Sequence, residues 1–215
     1  MKAALLKAIR AKKARVGIIG LGYVGLPMVR LFASKGFRVT GFDIDLAKVA
    51  SLNQGRSYIL TVPSGEVKKL VKQKRFGATA DFAAIRGVDA VVICVPTPLT
   101  HEGKPDVSFI RGTGETIAPH LRPGQLVILE STTYPGTTRE VLVPALEKSG
   151  LKIGTDVFVA YSPEREDPGN PKFRQGNIPK VVGGLTPDAR DLAAALYGSV
   201  VVRVVPVSSC EVAEA

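Results

Sequence analysis

A chain of 215 residues, 45% hydrophobic and 22% charged, has ordinary globular composition and enough length to bury a core in one domain or two. No window approaches the ~18 consecutive apolar residues of a membrane helix, and two cysteines, Cys94 and Cys210, make neither a disulfide framework nor a metal-ligand spacing, which fits a reducing cytoplasm. The net charge of +10 would draw nucleic acid, acidic surfaces and small phosphorylated ligands alike, so charge does not choose a partner.

Much of the excess charge is local, because the first fifteen residues hold six basic side chains and no acid. Their apolar patch is too short for a signal-peptide core, and they lack the serines of a transit peptide. Leu5, Leu6 and Ile9 form one helical stripe, so 1–14 is expected to be an amphipathic surface helix.

RVGII at 15–19 reads as a strand. A helix follows, with Val24, Met28, Leu31 and Phe32 at helical spacing and Gly36 as its stop. Pro27 falls in the first turn, where a missing N–H is harmless. FRVTGF is a second strand, and KKLVKQKR at 68–75 is the outer face of a helix. Further strands are expected at AVVICV (90–95), LVIL (126–129), VFVAY (157–161) and VVRVV (201–205).

The segment DVSFIRGTGETIAPH holds Gly112 and Gly114, each costing about 1 kcal/mol relative to Ala inside a helix, so an irregular segment is expected there. No strand leads directly into RGTGE, which is therefore not a phosphate loop. Thr137 and Glu140 have capping-box spacing, and Thr186 with Pro187 makes a helix start that Gly198 closes. Strands buried on both faces and alternating with helices imply one α/β domain over 15–207. Its sheet is doubly wound and mostly parallel, with helices on both faces.

The first strand runs directly into Gly20-Leu21-Gly22-Tyr23-Val24-Gly25, the GxGxxG pattern of dinucleotide-binding, Rossmann-like folds. Gly20 permits the tight turn, Gly22 lets a pyrophosphate approach the backbone, and Gly25 lets helix and strand pack closely. Asp43 ends the second strand about 20 residues on, where a carboxylate accepts ribose hydroxyls and repels a 2′-phosphate. NAD is thus expected over NADP, with the nearby Lys48 weakening that preference. Three later strands end in Pro96-Thr97-Pro98, Glu130-Ser131-Thr132-Thr133 and Ser162-Pro163-Glu164, and ligands bind outside the carboxyl ends of strands in such sheets. Glu164 is the obvious acid or base among them, and Thr132 can position a water or a substrate oxygen. Cys94 reads as a buried, inert thiol, and the acids near Cys210 would raise its pKa. No role is assigned to these cysteines or to His101 and His120, and no metal site is expected.

Six ordered motifs, GLGYVGLP (20–27), FDID (42–45), CVPTPLT (94–100), ESTTYPGTT (130–138), SPEREDPGN (162–170) and IPKVVGG (178–184), resemble the UDP-glucose/GDP-mannose dehydrogenase family over essentially the whole chain. The wording of ESTTYPGTT and SPEREDPGN is most similar to the branch acting on UDP-N-acetylhexosamines, UDP-N-acetylglucosamine first. The resemblance implies oxidation of the sugar C6 alcohol to a carboxylate with two NAD, through an aldehyde, a cysteine thiohemiacetal and a thioester that water hydrolyses. It implies that Gly20, Gly22, Tyr23, Val24 and Gly25 hold the pyrophosphate, and that Asp43 and Lys48 serve the adenosine ribose. Thr97 and Thr132, with Pro96 and Ser131 beside them, would serve the nicotinamide side. Thr132 would also help place the catalytic water, and Glu164 would be the acid/base of thioester hydrolysis.

Relatives acting on UDP-glucose carry a second glutamate where this chain has Pro168, which counts against UDP-glucose as substrate. The family's catalytic lysine would come just beyond Ala215, on a central helix that residues 208–215 begin, and its nucleophilic cysteine lies in a further domain. By this resemblance the chain is the cofactor half of an enzyme, inactive alone, with a UDP-sugar as partner and a homo-oligomer formed through the central helix. Neither nucleic acid nor membrane is an expected partner. A non-enzymatic nucleotide module that binds DNA is the alternative class, but there is no helix-turn-helix pattern and no Trp, and the basic residues are scattered. A small-hydroxy-acid dehydrogenase would leave ESTTYPGTT and SPEREDPGN without work.

Overall fold

The computed structural model of the chain describes residues 1–100, 102–164 and 178–215. Within them an eight-stranded sheet runs in the order β3-β2-β1-β4-β5-β6-β7-β8. The strands are β1 (Arg15–Ile19), β2 (Arg38–Phe42), β3 (Phe76–Thr79), β4 (Ala90–Ile93), β5 (Leu126–Leu129), β6 (Phe158–Tyr161), β7 (Lys180–Gly184) and β8 (Val204–Pro206). Every neighbouring pair is parallel except β6 with β7. The doubly wound α/β sheet expected from the strand–helix alternation is therefore present, with an antiparallel step near one edge.

Alternate side chains of the central strands feed two cores, one on each face of the sheet. Ala90, Val92, Leu126, Ile128, Phe158 and Ala160 join the core beneath α1 (Lys2–Arg10), α2 (Gly25–Ser34), α3 (Leu46–Asn53), α4 (Ser64–Lys72) and α7 (Pro187–Gly198). Val91, Ile93, Val127, Leu129, Val159 and Tyr161 face the other way, toward α5 (Ser108–Ile117), α6 (Val143–Glu147) and α8 (Cys210–Glu214). A strand covered on both faces has no room for polar residues, which is why these strands read as unbroken apolar runs.

The N-terminal stripe buries Leu5 and Ile9 in α1, at about 1.5–3 kcal/mol for each full burial. Lys2 on the same helix reaches Asp188 and Asp191 of α7 at 2.7 and 2.9 Å. Helix α2 ends as its sequence predicts: Gly36 sits at φ 103°, and Gly36 and Phe37 donate to the Ala33 and Phe32 carbonyls. Thr186 caps α7 by accepting from the Ala189 amide at 3.2 Å.

Three local expectations are corrected. Residues 108–117 form a regular helix, α5, despite two glycines. A Cβ on Gly114 would lie 2.7 Å from the Ala145 Cβ of α6, so this glycine trades helix propensity for close helix contact. The Thr137–Glu140 capping box does not form. Thr137 is already helical at φ −56° and ψ −43°, and its hydroxyl donates back to the Tyr134 carbonyl at 2.8 Å. The edge strand near 201–205 lies instead at Val204–Pro206. Two strands the periodicity missed, β3 and β7, are short and glycine-bearing, and β7 opens on a lysine.

Candidate cofactor site

The strand order reverses between β1 and β4, so the connections leaving their carboxyl ends diverge and open a crevice. A cleft of about 590 Å³ lies there. Its wall on the β1 side is the glycine turn, at Gly20, Gly22, Tyr23 and Val24, followed by Asp43 and Lys48. Its far side is made by the tips of three further strands: Pro96 and Thr97 after β4, Ser131 and Thr132 after β5, and Glu164 after β6. Gly25 lies behind the turn and is absent from the lining.

The three glycines have distinct surroundings. Gly20 sits at φ 85°, and a Cβ there would come 2.4 Å from the Cys94 carbonyl oxygen, so β1 and β4 can end side by side only with glycine at this position. A Cβ on Gly25 would lie 1.8 Å from the Gly20 carbonyl oxygen. Gly22 has nothing within 4 Å on its Cβ side, and its face is open to the cleft. That open strip of backbone at the start of α2 fits a pyrophosphate, which needs close approach to amides and the positive end of the helix.

Asp43 is buried, and its two carboxylate oxygens accept from the Leu21 amide at 2.9 Å and the Asp45 amide at 3.0 Å. Lys48 holds its ammonium 3.7 Å from the same carboxylate. A carboxylate has about four acceptor positions, so capacity for a ribose hydroxyl remains. Tyr58, which the sequence did not single out, donates its hydroxyl to the Leu21 carbonyl at 2.7 Å and so braces the glycine turn from outside. Burial, with Asp43 and Asp45 nearby, pushes the Tyr58 phenol well above its usual pKa.

At the other end, hydrogen bonds fix the strand tips to one another. Ser131 donates to the Val95 carbonyl at 2.7 Å, Tyr161 to the Ser131 carbonyl at 2.9 Å, and Thr97 to the Thr132 carbonyl. Beneath them lies a buried charge cluster. Glu130 accepts from the Lys180 ammonium of β7 and the Tyr197 hydroxyl of α7, and Lys180 also lies 3.8 Å from Glu164. Burial lifts the Glu130 carboxyl to about 7; Lys180 and Tyr197 restrain the rise and Glu164 adds to it. Burial pulls the Lys180 ammonium down, but Glu130 and Glu164 outweigh it and hold its pKa above the usual value.

The pairing of Glu130 with Lys180 is not legible in the motifs that contain them, because one strand's sequence cannot reveal which charge another strand brings. Cys94 lines the cleft, and burial pushes its thiol well above the normal range, with Glu130 and Glu164 adding, as an inert thiol requires. Burial likewise lifts Cys210 to about 12, helped by Glu214 and Glu211. His101, Pro168 and the part of SPEREDPGN after Glu164 lie outside the described residues. Among the described residues no group of His, Cys, Asp or Glu could hold a metal, and no helix is long and apolar enough to cross a membrane.

Residues 14–201 match the sequence model of the UDP-glucose/GDP-mannose dehydrogenase family, NAD binding domain. A UDP-N-acetyl-D-glucosamine 6-dehydrogenase of Pseudomonas aeruginosa is 38% identical over 206 residues, 95% of this chain and 48% of that protein. A UDP-N-acetyl-D-mannosamine dehydrogenase of Pyrococcus horikoshii is 34% identical over 188 residues, 87% of this chain and 45% of that one. The crystal structure of an NDP-N-acetyl-D-galactosaminuronic acid dehydrogenase from Methanosarcina mazei Go1 superposes with a TM-score of 0.87 at 32% identity, covering 99% of this chain and 47% of that one. The chain thus spans about half the length of the relatives it matches. With the glycine turn, the carboxylate after β2 and the three strand tips meeting in one cleft, these matches make the chain a member of the UDP-glucose/GDP-mannose dehydrogenase family and its fold the family's NAD-binding domain.

Proposed function

We propose that this domain serves a nucleotide-sugar 6-dehydrogenase that oxidises a UDP-N-acetylhexosamine, UDP-N-acetylglucosamine first, with the UDP-N-acetylmannosamine and UDP-glucose enzymes as the nearest alternatives. The observation that carries the reading is the single cleft in which the open Gly22 backbone and Asp43 stand at one end and Thr97, Thr132 and Glu164 at the other. The similarity to the Pseudomonas aeruginosa UDP-N-acetyl-D-glucosamine 6-dehydrogenase supports the choice of sugar.

NAD, when bound, supplies the hydride acceptor. The chain's own residues do the rest on this side of the reaction. Backbone amides at the start of α2 take the pyrophosphate, and Asp43, with Lys48 beside it, takes the adenosine ribose. Pro96, Thr97, Ser131 and Thr132 set the far wall of the cleft, with Thr132 as the group that orients a water or a sugar oxygen. Glu164, beside the Lys180 ammonium, exchanges a proton with that water.

Calorimetric titration of residues 1–215 tests the cofactor half. NAD is expected to bind in the micromolar class and NADP at least about tenfold more weakly, with no nicotinamide reduced when a UDP-sugar is added to this chain alone. No NAD binding, or a preference for NADP, removes the reading. The sugar is tested by assaying a protein that carries this domain together with the family's catalytic lysine and cysteine against UDP-N-acetylglucosamine, UDP-N-acetylmannosamine and UDP-glucose. A kcat/KM highest for UDP-glucose overturns the assignment.

A further inference from the structure

The segment that follows β5 is held from two sides. At its start, Ser131 and Thr132 are tied to neighbouring strand tips by the bonds from Ser131, Tyr161 and Thr97. At its end stands a residue far away in sequence. The buried Glu214 of α8 accepts from the Gly136 amide at 2.6 Å through one oxygen, and from the Thr138 amide at 2.8 Å and hydroxyl at 2.6 Å through the other.

Those amides open the π-helical turn Thr138–Leu142 that runs into α6, and amides in a first turn have no acceptor within their own helix. A capping box of Thr137 and Glu140 would have served the Thr137 and Glu140 amides, which donate instead to the Tyr134 and Gly136 carbonyls. The Gly136 and Thr138 amides are taken by Glu214, a carboxylate at the positive end of a helix.

Helix α8 is itself seated firmly enough to act. A Cβ on Gly183 would lie 2.1 Å from the Ser209 carbonyl oxygen, so the helix start rests directly on β7, and Arg139 reaches Glu211 at 2.7 Å. A contact chain leads from there toward the cleft. Thr137, between the two clamped residues, shares a 2.6 Å hydroxyl contact with Thr133, which adjoins Thr132 in the cleft wall.

We propose that Glu214 is a positioning residue of the cofactor site: by binding Gly136 and Thr138 it sets the segment that carries Ser131 and Thr132, and it couples α8 to the nicotinamide end of the cleft. The inference rests on the proposed role of that segment toward NAD. Glu214 touches neither cofactor nor substrate, and its effect is confined to the half of the dinucleotide that the segment faces. The glycine turn and Asp43, on the opposite wall, are outside its reach.

The test compares NAD with ADP-ribose, which keeps the adenosine and pyrophosphate and lacks the nicotinamide. In the 215-residue chain, Glu214→Ala is expected to weaken NAD about tenfold while ADP-ribose changes by less than about twofold, with Glu214→Gln in between because its amide oxygen still accepts one amide. Backbone hydrogen exchange at 131–138 is expected to quicken in Glu214→Ala. A role limited to general stability would lower the melting temperature and weaken both ligands alike, or neither.

Should the alanine variant not fold, the wild-type protein reads the same link in reverse, since coupling between two sites is reciprocal. NAD is then expected to slow exchange at 210–214 beyond any effect of ADP-ribose. Parallel changes in the two affinities, unchanged exchange at 131–134 in Glu214→Ala, or equal protection of α8 by both ligands overturns the inference. Failure of the wild-type chain to bind NAD removes the proposed function instead, and exchange at 131–134 in the variant still decides whether Glu214 orders the segment.

Discussion

Asp43, at the end of β2, accepts the Leu21 amide of the glycine turn at 2.9 Å. One side chain thus fastens the turn and, in the proposed function, also takes the ribose, so its two duties can be separated by substitution. Asp43→Asn keeps an oxygen for the amide but loses the charge, and it is expected to shift the NADP-to-NAD affinity ratio toward NADP by about tenfold. Asp43→Ala leaves the buried Leu21 amide without its acceptor and is expected to cost a further 1–3 kcal/mol or so of stability. Calorimetry with both cofactors and denaturant melts of both variants measure the two effects.

The glycine turn gives a second separation. Gly22→Ala places a methyl group where nothing lies within 4 Å, so its melting behaviour is expected to stay within about 0.5 kcal/mol of the parent. The same methyl would occupy the backbone strip to which the proposed function assigns the pyrophosphate, and NAD binding is expected to fall at least about tenfold. Gly25→Ala, with its Cβ 1.8 Å from the Gly20 carbonyl oxygen, is expected to unfold the domain or destabilise it by several kcal/mol, roughly the upper end for single substitutions. Comparable melting temperatures for the two variants would contradict this.

Helix α5 makes a prediction of opposite signs. Gly112→Ala adds a methyl group in open space and is expected to stabilise the protein by roughly 0.5–1 kcal/mol through helix propensity. Gly114→Ala gains the same propensity but brings its Cβ 2.7 Å from that of Ala145, and is expected to destabilise by about 1–3 kcal/mol. Urea melts of the two variants decide the signs.

Burial gives Glu130 a folded-state pKa of about 7 against an ordinary 4.5. Between those values the folded protein binds more protons than the unfolded chain, so this group's contribution to stability is complete below about 4.5 and is lost as pH rises through about 7. In Glu130→Gln that slope is expected to vanish, so the difference in stability between wild type and variant narrows or reverses with rising pH across the window. Glu130→Gln also leaves the buried Lys180 without its main partner, so it is expected to be less stable than the double variant Glu130→Gln with Lys180→Met by a few kcal/mol or so. Unfolding free energies of the three proteins from pH 4 to about 8 check both statements.

The sequence by itself determined the outline. Apolar runs of four or five residues at the central strands, with Gly36 and Thr186 as helix boundaries, declared a parallel sheet covered on both faces, because periodicity and end residues are local properties. GxGxxG and an aspartate after the next strand are likewise local, so one wall of the cleft could be read before the fold was known.

Only tertiary structure decided what meets across distance. Lys180 on β7 and Tyr197 on α7 converge on Glu130, and Glu214 clamps Gly136 and Thr138 at a helix start where Thr137 and Glu140 advertised a local cap that does not form. Ala145 decides that Gly114 belongs in a helix. In each case the deciding partner is remote in the chain. A buried polar group takes whichever partner the packing of another element delivers, and spacing along one segment does not encode that delivery.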